Sequence, residues 1–165
     1  MKWLLKFIRI GVMNKRELEK FLLKARTKTY ATGTGTSKPL LPDSVQYEFQ
    51  EGDYSYQDIY YIGNGIFPGL ETVFYKSRPV WSMSYFGDFS GMTEEQTDTM
   101  LRKALIDLWE TTRIYNHVEK DYGNFMYICD ANGTLDKLSG TEEIYVNNEK
   151  VYFFKYVGGF IGENQ

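Results

Sequence analysis

The segment Gly69-Leu-Glu-Thr-Val-Phe-Tyr-Lys-Ser-Arg-Pro-Val-Trp-Ser-Met-Ser-Tyr-Phe-Gly87 reads as two strands, Leu70 to Lys76 and Val80 to Phe86, folded about Lys76-Ser-Arg-Pro79. Pro79 suits a turn or a first strand position, where its missing N–H donor does least harm. Trp81, Met83 and Tyr85 share one face of the second strand, and Ser82, Ser84 and Phe86 the other. Starting 71 residues further on, without a gap, the chain reads Gly140-Thr-Glu-Glu-Ile-Tyr-Val-Asn-Asn-Glu-Lys-Val-Tyr-Phe-Phe-Lys-Tyr-Val-Gly158. Gly69/Gly140, Glu71/Glu142, Val80/Val151, Tyr85/Tyr156 and Gly87/Gly158 are identical, and Val73/Ile144, Phe74/Tyr145, Trp81/Tyr152 and Met83/Phe154 are alike in kind. Chance identity at average residue usage is roughly one position in twenty, so one hairpin is expected twice.

The flanks repeat the order. Asn14-Lys-Arg-Glu17 resembles an N-cap with an acidic residue three positions on, and Leu18, Phe21, Leu22 and Ala25 then line one helical face. The helix is expected to end near Arg26 to Lys28, before a loop over Ala31 to Ser44. Val45 to Gln50 and Asp53 to Ile62 read as strands. In the second half, Thr93-Glu-Glu-Gln96 is a capping box opening a helix to about Thr112, with Met100, Leu101, Ala104, Leu105, Leu108 and Trp109 as its stripe. Tyr122 to Cys129 reads as a strand and Asn132-Gly133 as a turn; Glu143 to Val146 and Lys150 to Tyr156 pair across Asn147-Asn148. The expectation is one α+β domain over residues 13–165, an antiparallel sheet with two main helices. It would be a pseudo-duplicated α-β-β-β unit with half-repeats at about 14–91 and 92–161, and a groove along its pseudo-twofold would suit a ligand. The competing reading is that both halves merely reuse a stable hairpin.

Composition narrows the classes. With 42% hydrophobic and 25% charged residues the chain is globular, and a net charge of −3 argues against a nucleic-acid-binding surface. The 14 Tyr and 11 Phe imply an aromatic-rich sheet or an aromatic-lined pocket. Cys129 and His117 are each single, which removes a disulfide framework, points to a reducing, cytoplasmic setting, and leaves no spacing for a transition metal or a catalytic triad. Gly33-Thr-Gly35 lacks the Lys-Ser/Thr ending of a phosphate loop. Residues 1–12 are amphipathic and too short to span a bilayer; they would touch a membrane surface, cap the core, or lie upstream of a start at Met13. No metal or cofactor is expected.

Tyr54, Tyr56, Asp58 and Tyr60 alternate onto one strand face. Asp58, Glu71 and Glu142 form the main polar cluster, with the three tyrosines, Trp81 and Tyr85 around it. Facing carboxylates can separate their pKa values for acid–base work or hold a divalent cation through oxygen. Equally, each Glu can accept backbone N–H groups of its own hairpin or pair with Arg78 or Lys150. Trp81 and Tyr85 would stack on a planar or sugar-like ligand, or pack as core. Arg26, Lys28 and Arg113 would neutralise an anionic ligand or complement the helix dipole.

At Glu51-Gly-Asp-Tyr-Ser-Tyr-Gln-Asp58, Tyr60, Gly63, Phe67-Pro-Gly-Leu-Glu71 and Pro79-Val-Trp-Ser-Met-Ser-Tyr-Phe-Gly87, and again at Gly140, Glu142, Val151-Tyr152 and Tyr156-Val-Gly-Gly159, the chain resembles a bacterial family of unknown function. The resemblance covers roughly Leu18 to Ile161. Members of that family occur alone or behind an Xre-type helix-turn-helix domain, which implies a sensing or dimerisation role and carries over no activity or catalytic residue. Only twelve residues precede Met13, too few for a DNA-binding domain, so regulation in cis is not expected. The expected function is non-enzymatic binding or sensing of a small polar or aromatic metabolite. The alternatives are a small hydrolase or lyase using Asp58, Glu71 or Glu142, and a homodimeric interaction module exposing an aromatic sheet face.

Overall fold

The structure, a computed structural model, describes residues 14–114 and 117–161; the amphipathic reading of residues 1–12 lies outside them. The Asn14 side chain accepts from the Arg16 backbone N–H at 3.0 Å and opens α1 (Lys15–Lys28). Leu18, Phe21, Leu22 and Ala25 are buried along it, as their helical spacing requires. A single 3₁₀ turn, Tyr30–Thr32, follows. The second helix, α2 (Glu94–Asp107), starts on a capping box closed in both directions: Gln96 N–H donates to the Thr93 hydroxyl at 3.2 Å, and Thr93 N–H to the Gln96 side chain at 3.0 Å. It buries Thr97, Leu101, Ala104 and Leu105, and gives way to turns after Asp107 instead of reaching Thr112.

Eight strands form one antiparallel sheet: β1 (Val45–Glu51), β2 (Tyr54–Tyr60), β3 (Ile66–Tyr75), β4 (Arg78–Asp88), β5 (His117–Asp121), β6 (Met126–Thr134), β7 (Lys137–Val146) and β8 (Glu149–Phe160). Their order is β1-β2-β3-β4-β8-β7-β6-β5, so the last strands of the two halves pair at the centre. Each half therefore holds four strands after its helix, not three. The unexpected β5 is a short edge strand, His-Val-Glu-Lys-Asp, whose mostly exposed residues show no apolar alternation. Asn132-Gly133 is not a turn. It lies inside β6, paired with Ser139 and Leu138, and the chain reverses at Leu135-Asp136. Gly133 is needed there for close approach: a Cβ would sit 2.0 Å from the Lys137 carbonyl oxygen. The two expected hairpins turn on residue pairs with positive φ, Lys76-Ser77 and Asn147-Asn148.

The ladders of the two halves share one offset. Asp58 pairs with Glu71 and Cys129 with Glu142; Val73 pairs with Trp81 and Ile144 with Tyr152. The register breaks between Val73 and Phe74 in one half and between Ile144 and Tyr145 in the other. At the join, Tyr85 pairs with Tyr156, the residues matched by that offset. The tyrosine rings lie over glycines: a Cβ on Gly69 or Gly140 would come within 2.3 Å of Tyr85 or Tyr156 respectively. Both helices lie on one face of the sheet. Leu18, Leu22 and Leu101 join Tyr56, Trp81, Met83, Ile144 and Phe154 in a continuous core, and each such side chain contributes roughly 1.5–3 kcal/mol by leaving water.

Candidate functional site

Asp58 and Glu71 meet because the β2–β3 register sets them directly opposite on the helix-covered face, where both are buried. Arg26, from the last turn of α1, donates through Nε and Nη2 to Glu71 Oε2 at 2.9 and 2.8 Å. Arg113 follows α2 with φ +61, a left-handed conformation uncommon for a side chain of this size. That backbone turns its guanidinium inward: Nη1 stands 3.8 Å from Glu71 Oε1, while Nε and Nη2 donate to the two Glu142 oxygens at 2.8 and 2.9 Å. The Tyr127 and Tyr152 hydroxyls also donate to Glu142, at 2.7 and 3.0 Å. Asp58 receives only the Tyr85 hydroxyl, at 2.5 Å, among the described residues.

The titration of these groups follows their partners. Burial alone would raise the Glu142 carboxyl, but Arg113, Tyr127 and Tyr152 overcome it and hold Glu142 below the usual carboxylate range. At Asp58, burial first, and the neighbouring Glu71 charge second, push the carboxyl up to about 7. The Tyr85 hydrogen bond and the Arg113 and Arg26 charges oppose the rise but are outweighed. Tyr85 is pushed above the ordinary phenol range by burial and by Asp58, so it remains the proton donor of that pair.

A cavity of about 270 Å³ opens between this part of the sheet and the helices. Asp58, Glu71, Arg26 and Arg113 form one polar side of it, while Tyr47, Tyr60, Phe67, Tyr85 and Trp109 supply aromatic wall. A second polar group borders it where the Tyr30 hydroxyl and Arg102 both donate to Asp98, at 2.8 and 3.0 Å, with the Arg102 guanidinium 4.7 Å from the Tyr30 ring centre.

The sequence-based candidates divide. Tyr56, Asp58, Tyr60, Glu71 and Tyr85 line the cavity. Tyr54 stacks on Phe21 at 5.1 Å. Trp81 is fully buried, and its indole N–H donates to the Leu135 carbonyl at 3.1 Å. Glu142 lies behind Arg113, fully buried. Trp81 and Glu142 thus belong to the buried interior, and Tyr54 packs half-buried against the core. Neither Glu71 nor Glu142 is bound by Arg78 or Lys150, because both carboxylates face the helices; Lys150 instead pairs with Glu143 at 3.0 Å. Lys28 is exposed, and His117 sits exposed on β5 beside Asp130 at 2.6 Å. Among the described residues no group of three or more His, Cys, Asp or Glu is arranged to hold a metal ion, and no helix is long and apolar enough to cross a membrane. Tyr47, Asp98 and Arg102 are not among the sequence candidates, and Phe67 enters there only within the Phe67-Pro-Gly-Leu-Glu71 motif of the resemblance. Tyr47 carried a signal of its own, since it alternates with Val45 and Phe49 on β1.

The sequence profile of a family described as a domain of unknown function (DUF5680) matches residues 58–161. The chain belongs to this family. The DUF5680 match begins at Asp58 and takes in Glu71, Tyr85, Arg113 and Glu142, whereas Arg26, Tyr30 and Tyr47 precede it. Neither the curated proteins nor the solved structures contain a match to the chain.

Proposed function

We propose that this DUF5680 chain is a non-enzymatic domain that binds or senses a small polar or aromatic metabolite. The observation that carries the reading is the 270 Å³ cavity, which combines aromatic walls with buried polar atoms that lack protein partners. Such convergence of apolar surface and a few polar groups is the usual character of a ligand site. Arg26 Nη1 is buried without a hydrogen-bond partner among the described residues, a cost of about 1–3 kcal/mol that a ligand acceptor would relieve. We further infer that the domain is a pseudo-duplicated unit, supported by the shared ladder offset and matched register breaks. Its single buried thiol, Cys129, fits a cytoplasmic setting.

The test is a thermal-shift screen of the purified chain against nucleotides, sugars, amino acids and aromatic amines and acids. A ligand at about a hundred times its Kd adds roughly 2.7 kcal/mol, which raises Tm by about 5–10 °C at this size. The shift should vanish in Tyr60→Ala and persist in a folded variant altered away from the cavity, such as Lys150→Ala. A library without a hit rejects the metabolite reading.

A second reading has its own observation. Asp58, titrating at about 7 beside Glu71, has the poise of a general acid or base; turnover of any screened compound that is lost in Asp58→Asn would favour the hydrolase or lyase class. The homodimer reading has the exposed Leu70, Phe86 and Val157 on the outer sheet face, and sedimentation velocity of the purified chain tests it.

A further inference from the structure

We propose that the cavity takes a small organic cation, a protonated amine or amidine carried on one or two rings, held by Asp58 and Glu71. The inference rests on the binding-domain reading above and specifies its ligand.

Charge is the first argument. Arg26, Glu71, Arg113 and Glu142 form an alternating chain with contacts of 2.8, 3.8 and 2.8 Å. Two guanidiniums and two carboxylates cancel, and Asp58 is left over. Around it stand Tyr47 on β1, Tyr56 and Tyr60 on its own strand, Glu71 on β3, Tyr85 on β4, Arg26 on α1 and Arg113 beyond α2. When Asp58 is ionised, this buried set is one positive charge short. A buried charge without a counter-ion is strongly unfavourable, and a bound cation would complete the set.

Geometry agrees. Tyr85 occupies Asp58 Oδ1, and Arg26 occupies Glu71 Oε2. Asp58 Oδ2 and Glu71 Oε1 accept no hydrogen bond from the described residues, and the two side chains stand opposite each other on the cavity wall. An anion finds less, because Arg26 and Arg113 already spend Nε and Nη2 on carboxylates and Arg102 gives Nη2 to Asp98. Arg26 Nη1 and Arg102 Nε, buried without a partner among the described residues, suit neutral acceptors on the ligand. The aromatic lining of Tyr47, Tyr60, Phe67 and Trp109 suits a cation as well, since aromatic π-systems attract positive charge. As for size, a cavity of about 150 Å³ accommodates benzene, so 270 Å³ holds one or two rings.

Binding then moves one proton. The Asp58 carboxylic acid releases its proton to solvent, and the carboxylate so formed accepts the N–H of the incoming ammonium. Because burial and Glu71 push Asp58 up to about 7, the competent, ionised fraction rises about tenfold from pH 6 to pH 8, and affinity for a cation follows it.

The experiment uses three probes of one ring size and three charges: benzylamine, benzyl alcohol and benzoate. Each is titrated by calorimetry and thermal shift at pH 6 and pH 8 against the full chain and Asp58→Asn, a near-isosteric change whose fold is checked by circular dichroism. Benzylamine should bind about tenfold tighter at pH 8 and lose its binding in Asp58→Asn, with benzoate inert. Preference for benzoate, equal binding of benzyl alcohol, or benzylamine binding that survives Asp58→Asn overturns the cation assignment and leaves the binding domain standing. Failure of all three probes overturns the cation assignment, whereas only a blank wider screen removes the binding-domain reading as well.

Discussion

Glu71 and Glu142 hold matching places in the two halves of the sheet, yet their surroundings differ. Glu142 receives two bonds from Arg113 and one each from Tyr127 and Tyr152. Glu71 receives both of its hydrogen bonds on one oxygen, from Arg26. The cross-strand partner of Glu142 is Cys129, a small buried thiol whose Sγ lies 3.7 Å from the Tyr156 hydroxyl. The partner of Glu71 is Asp58, a second carboxyl held by Tyr85. One half has closed its polar site with protein groups and the other has left it open onto a cavity. A fully satisfied buried network rigidifies a fold, whereas an incompletely satisfied one leaves polar atoms desolvated at a cost.

The comparison can be broken hardest at its closed end. Arg113→Ala leaves Glu142 buried without a counter-ion, and should cost about 3–5 kcal/mol, read as a lower urea midpoint; Arg26→Ala should cost less, because Glu71 also has Arg113 nearby. An equal loss in both variants would show that the two halves are held alike.

The next effect is on pH dependence. Native Asp58 is raised above its unfolded value, so between roughly pH 4 and pH 7 the folded chain holds a proton that the unfolded chain has released. Stability contributed by this group is therefore present at low pH and falls as pH rises, by up to about 1.4 kcal/mol per pH unit. Urea midpoints should show that slope in the native chain and a shallower one in Asp58→Asn. Unchanged slopes would mean that Asp58 is not the odd carboxyl.

The smallest expected difference probes what the halves share. Gly69→Ala presses a methyl group into the Tyr85 ring, and Gly140→Ala presses one into the Tyr156 ring and the Asp130 carbonyl oxygen; each should cost about 1–3 kcal/mol. Similar losses would support the pseudo-duplicated reading, while a loss confined to one half would weaken it.

The hairpins, caps and amphipathic helix faces were legible because they are local. Asn147-Asn148 accommodates positive φ, Thr93 and Gln96 cap each other, and Leu18, Phe21, Leu22 and Ala25 fall on one side of a helix whatever surrounds them. The alternation of Tyr56, Asp58 and Tyr60 likewise follows from strand geometry. The polar edge strand His117–Asp121 carried no such pattern, and Asn132-Gly133 carried a misleading one that pairing with β7 overrode.

Partner choice was beyond local rules. Nothing in the sequence near Glu71 says that its counter-ion comes from 45 residues upstream on α1, nor that Arg113 would enter from a left-handed turn to separate two carboxylates. The residue types and their periodicity already specified which faces carry tyrosine and carboxylate. Packing of two helices across one shared sheet then selected which carboxylates were neutralised, which aromatic rings became core, and which were left around a cavity. Those outcomes depend on distances between segments remote in the chain, where desolvation and Coulomb energy vary over a few ångströms.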